Sequence, residues 1–119
     1  MDDMILMVEK AIDSSLHWPE TGWPATFGPR NIEVSSLKAA ESLPKTAVYR
    51  EEAINYWNQA RLIGNDTADA GRRALESLKG DRLADAGSAL YLCQYLEKPF
   101  ELHSRTWLPI YEAFRSHCA

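Results

Sequence analysis

Strand-forming sequence is nearly missing from this chain. No run alternates β-branched with polar residues, and valine and isoleucine are few, which speaks against a sheet-based fold. Cysteine is scarce too: Cys93 and Cys118 are the only two, too few and too far apart for a secreted disulfide scaffold. Cys93 falls inside an apolar helical pattern and reads as a buried thiol; Cys118 is penultimate and reads as a terminal one. Long apolar runs are missing as well. The stretch from Met4 to Val8 is five residues long and ends at Glu9, too short for a membrane span, and the Met-Asp-Asp before it lacks the basic start of a signal peptide. The cytoplasm is the expected compartment, with no membrane partner.

Excess positive charge is also lacking. Lys and Arg number 13 against 17 Asp and Glu, a net charge of −4. The densest basic stretch, Arg72, Arg73, Lys79 and Arg82, is interrupted by Asp69, Glu76, Asp81 and Asp85. A phosphate-backbone binder needs a basic face, because counterion release supplies most of its affinity, so nucleic acid is disfavoured as a partner. Weak nucleic-acid binding remains a third-ranked expectation. Catalytic and cofactor motifs are missing in turn. His17, His103 and His117 form no HExxH or HxxxH, no CxxC occurs, and the spacing implies no metal. Phe27-Gly28-Pro29 lacks the glycines and lysine of a phosphate loop, and no nucleophile elbow is present. Glu51 and Glu52 are adjacent on a helix and point apart, so they make no acid–base dyad. No catalytic residue and no cofactor is implied.

What is present is helical. The chain has 119 residues, 45% of them hydrophobic and 25% charged, the size and composition of one globular domain. The spacing predicts an all-α fold, a small antiparallel bundle of about five to six helices, in a single domain over residues 1–119. Residues 1–16 form the first helix, on Ile5, Val8, Ala11, Ile12 and Leu16. Residues 17–30 form a Trp/Pro-rich loop, and residues 31–117 form helical hairpins. Within the last stretch, a short helix ends before Pro44, although Ile32-Glu33-Val34 can also be extended. A third helix runs from a Thr46 cap to Gly64. Asn65-Asp66 makes a turn, and a fourth helix runs to Lys79. Gly80-Asp81 closes that helix and opens a fifth, antiparallel to it, with Tyr91 and Tyr95 as an i,i+4 pair. Trp107, Ile110, Tyr111 and Phe114 mark a last helix that Pro109 either starts or kinks.

The 17–30 segment reads HWPETGWPATFGPR and repeats a short motif, Trp18-Pro19-Glu20-Thr21 and then Trp23-Pro24-Ala25-Thr26. Proline excludes a long regular helix here, and a flexible linker would use Gly and Ser rather than Trp, so an ordered, aromatic-anchored loop is expected. Trp and Tyr dominate binding hot spots, which makes Trp18, Trp23 and Phe27 candidate partner contacts. The same rings can instead cap the open end of the bundle. Trp57 and Trp107 lie on helical stripes and read as core.

Residues 51–99 resemble a tetratricopeptide-like helical hairpin. Ala53, Tyr56, Trp57 and Ala60 give the small–aromatic–small order of that family's second helix. Leu78-Lys79-Gly80-Asp81 looks like its Gly-Asp turn. A shift of 34 residues, the family's repeat length, takes Ala53 to Gly87, Tyr56 to Leu90 and Trp57 to Tyr91, though it also takes Ala60 to Gln94. In that family, basic groups on first helices receive peptide carboxylates, so the resemblance implies Arg72 and Arg73 as candidate partner contacts. Together these features point to a non-catalytic protein-interaction module, an adaptor, chaperone or accessory subunit, binding another protein or a second copy of itself. The alternative is an enzyme or small-ligand binder whose site is assembled from Tyr49, Tyr91, Tyr95, His103 and Glu112.

Overall fold

The computed structural model describes residues 2–28, 31–96 and 101–118, without the side chains of 101–104. Among these residues six helices pack against one another, and a two-strand sheet is the only β structure. α1 (Asp2–Leu16) has two carboxylates in its first turn, where the helix dipole favours them. It buries Met4, Val8, Ala11, Ile12 and Ser15.

Over residues 17–28 the Trp/Pro segment has more regular structure than expected. α2 (Trp18–Thr21) is a single turn with Pro19 at its start, where the missing N–H breaks no helical bond. Gly22 ends it at φ 77°, and a Cβ there would overlap the Ser35 carbonyl, so only glycine fits. β1 (Thr26–Phe27) then pairs antiparallel with β2 (Ile32–Glu33), Phe27 opposite Ile32. The pairing continues as Trp23 N–H donates to Ser35 O and Val34 N–H to Ala25 O, both at 2.8 Å. Ile32-Glu33 thus takes the extended alternative. α3 (Leu37–Glu41) starts at Ser36, whose Oγ accepts from Ala39 N–H at 3.1 Å.

The largest difference from expectation is α4 (Arg50–Lys79), one unbroken helix of 30 residues. No turn forms at Gly64-Asn65-Asp66, so the third and fourth helices of the sequence-based scheme are one. The helix also starts later than Thr46, and Tyr49 ahead of it makes no side-chain cap bond. Local propensity at 64–67 (Gly, Asn, Asp, Thr) opposes helix by about 2–3 kcal/mol in total. Burial overrides it. Ala53, Trp57, Ala60, Gly64, Thr67, Gly71, Ala74 and Leu78 are all buried, and they follow one another in alternating steps of four and three. This seam crosses 64–66 without a phase break.

The Gly80-Asp81 connection forms where expected, with the roles shifted. Gly80 is at φ −96°, and Asp81 takes the left-handed position at φ 57°. Arg82 N–H reaches back to Ser77 O at 2.8 Å and closes the helix end. α5 (Leu83–Leu96) returns antiparallel to α4. α6 (Glu101–Cys118) is one helix containing Pro109, the longer of the two alternatives.

The seam of α4 faces two separate cores. Trp18, Phe27, Val34, Ala40, Ala53, Trp57 and Ala60 form one, around the first half of α4. Met4, Val8, Ala68, Ala74, Leu78, Leu90, Cys93, Trp107 and Phe114 belong to the other, where α1, α5 and α6 surround the second half. The molecule is accordingly a rod of 54 × 20 × 18 Å, and α4, at about 1.5 Å per residue, runs most of its length.

Candidate interaction surface

The structure separates the candidate contacts. Trp18 and Phe27 are 4% and 7% exposed, so both rings fill the first core and neither is presented to solvent. Phe27 meets Tyr56 edge-on at 5.4 Å, and Tyr56 meets Trp57 at 5.2 Å. Burial raises the Tyr56 pKa above its ordinary value. Trp57 Nε1 donates to Val34 O at 3.3 Å and fastens the small hairpin to α4. Trp23 is half-buried against the same core, with the Arg105 guanidinium 5.2 Å from its ring. Both Trp18 and Phe27 thus pack inward against the first half of α4.

Arg72 and Arg73 lie on the second half of α4, beside the other core, so they share no site with the Trp/Pro segment. Both are exposed; Arg72 pairs with Asp69 at 2.8 Å. Arg73 lines an open cleft of about 420 Å³ between α4 and α5, with Glu76, Ser77, Arg82, Asp85 and Leu92. A second cleft, about 450 Å³, lies where α1, α2, α3 and α4 meet, at Leu16, Pro19, Leu37 and Arg61.

The feature that sequence reading passed over is the outer side of α5. Its 14 residues hold one charge, Asp85. Such a helix is normally buried all round. Here only Ala86, Leu90 and Cys93 are buried. The opposite side carries Ala84, Ser88, Tyr91, Leu92 and Tyr95, all exposed. Tyr91 and Tyr95 are 55% and 62% exposed. Tyr91 is held in place by an edge contact to Tyr111 at 5.8 Å, and Arg115 lies 6.0 Å from the Tyr111 ring. The missed signal was the lack of charge on α5, whose polar face would otherwise carry Lys or Glu at 84, 88, 91 and 95.

The residues of the scattered-site alternative are spread out. Tyr49 packs on the first core, whereas Tyr91 and Tyr95 lie on outer α5, and none of them, nor Glu112, lines either cleft. The His103 side chain lies outside the described residues. His17 is exposed; its Nδ1 lies 2.9 Å from Asp13 O and 3.4 Å from the Asp13 carboxylate. Cys93 is buried and Cys118 exposed, as the sequence indicated. Cys93 Sγ donates to Thr67 O at 3.6 Å across the α4–α5 contact. Among the described residues, no three His, Cys, Asp or Glu side chains are grouped to hold a metal, and no helix is long and apolar enough to cross a membrane.

The fold and surface therefore define a small all-α protein with two cores on one helix. Compared with protein-family models, curated proteins and solved structures, the chain matches none.

Proposed function

We propose that the protein is a non-catalytic interaction module, an adaptor, chaperone or accessory subunit, that receives a protein partner on the outer face of α5 and the adjoining α4–α5 cleft. The observation that carries this is the exposure of Tyr91, Leu92 and Tyr95 on a helix with a single charge. A contiguous apolar patch on a small protein marks an interaction site, and tyrosine is favoured there because it brings large area with few rotatable bonds. Arg73 and Arg82 border the patch and supply charge-assisted hydrogen bonds to a partner's carboxylates. A cytoplasmic setting fits the two free thiols.

The test places a photoreactive amino acid at Leu92, or at Leu62 on the other half of α4 as an exposed control. Position 92 is expected to cross-link one discrete protein in the native extract, and the cross-link is expected to vanish with Tyr95→Glu. Equal labelling from both positions, or none from position 92, would overturn the assignment.

A further inference from the structure

We infer that the occupant of the α5 face is a second copy of this chain, docked about a two-fold axis with the two α5 helices antiparallel. The inference rests on the interaction surface assigned above and names its partner.

Three features of the face point to self-pairing. The first is its shape. Its small residues, Ala84 and Ser88, occupy the first half of α5, and its large ones, Tyr91, Leu92 and Tyr95, occupy the second half. An antiparallel copy sets large over small at both ends, which is how helix surfaces interdigitate. A parallel copy sets small against small and leaves a gap. The face is therefore complementary to itself in one orientation, as an isologous two-fold contact requires.

The second feature is charge. The cleft beside the face carries Arg73 and Arg82 together with Glu76 and Asp85, two charges of each sign. A strongly acidic or strongly basic partner meets as much repulsion as attraction there. A second copy brings the same balanced set, so each sign can find its opposite across the axis. The chain's net charge of −4 lies elsewhere and is screened beyond about 8–10 Å in ordinary salt.

The third feature is area. With tyrosines of roughly 200 Å² more than half exposed and Leu92, Ala84, Ser88 and Tyr111 beside them, the face offers about 500 Å² per copy. The pair then buries about 1,000 Å², the lower bound for a specific interface, so the dimer is a weak one in the micromolar range. The Tyr91–Tyr111 edge contact fixes one of the large rings before docking and reduces the ordering cost.

Sedimentation velocity of the purified full chain from about 1 to several hundred micromolar tests this. The wild type is expected to move from 13.5 kDa to twice that mass as concentration rises. Tyr95→Glu is expected to weaken the association at least tenfold. Ser88→Tyr enlarges the exposed apolar surface and would strengthen a merely adhesive patch. Under antiparallel interdigitation it fills the recess that receives the partner's large residues, and the association is expected to weaken at least tenfold. Both residues are exposed, and an unchanged melting temperature confirms that each variant is folded. A wild type that stays monomeric throughout, or a Ser88→Tyr variant that associates as well or better, overturns the inference. If the protein is monomeric yet position 92 still cross-links a different chain, self-pairing fails and the docking face stands. If neither is seen, both fail.

Discussion

The indole of Trp107 donates a hydrogen bond from Nε1 to Ser15 Oγ at 3.1 Å, with both residues buried, and so joins α6 to α1 inside the second core. This bond explains why a serine sits on the buried stripe of α1. An indole N–H taken out of water without an acceptor costs more than the bond itself contributes. Ser15→Ala should therefore lower stability by about 1–3 kcal/mol, measured by urea unfolding. In a Trp107→Phe background, where the donor is gone, the same change should cost less. Equal costs in both backgrounds would show that the bond is not formed.

Gly71 lies beneath the same indole. A Cβ at this position would stand 2.7 Å from Trp107 Cη2 and 2.8 Å from Ile12 Cγ1. Helix propensity alone favours alanine there by about 1 kcal/mol. Overpacking between α4, α1 and α6 should reverse the sign, and Gly71→Ala is expected to cost about 1–3 kcal/mol. A rise in melting temperature would mean that the helices are farther apart than described.

Asp81 predicts the opposite outcome. It holds a left-handed backbone conformation, φ 57°, which strains most L-residues and suits glycine. Asp81→Gly should stabilise the α4–α5 turn by about 0.5–1 kcal/mol, read as a higher thermal midpoint.

His17 provides a pH test. Its pKa is raised above the ordinary 6.5, first by the Nδ1 bond to the Asp13 carbonyl and then by the Asp13 carboxylate, while burial acts weakly the other way. A folded pKa above the unfolded one means that the protonated ring stabilises the α1–α2 junction. That contribution is complete below about pH 6.5 and is lost as the pH rises through the folded value. NMR titration should find Asp13→Asn lowering the His17 pKa yet leaving it above 6.5, because the carbonyl contact survives. A fall to 6.5 or below would assign the whole shift to the carboxylate.

Much of this architecture could be read from residue patterns. The α1 stripe, the Gly80-Asp81 reversal, the buried Cys93 and the core positions of Trp57 and Trp107 all follow from helical periodicity and end signals. The unbroken α4 did not, because Gly64-Asn65-Asp66-Thr67 has the composition of a helix stop, and local chemistry was weighed above the seam running through it. The four-three alternation from Ala53 to Leu78 was the better signal, and small residues at 64, 67, 68, 70 and 71 are what let α1 and α5 approach there. The Trp/Pro segment was legible as aromatic-anchored, but whether its rings faced inward depended on contacts with the distant α4, as in the Phe27–Tyr56 edge contact. The α5 face was legible only as a deficit of charge, and a deficit becomes a surface once the helix's neighbours are known.

The whole arrangement depends on α4 being one helix that carries two cores. Backbone NMR of the full chain tests this most directly. Continuous helical Cα secondary shifts from Arg50 to Lys79, with slow amide exchange at Thr67 and Ala68, are the expected result. Coil-like shifts and rapid exchange over 64–66 would instead divide α4 into the two shorter helices of a repeat-like hairpin, and would contradict the two-core spine.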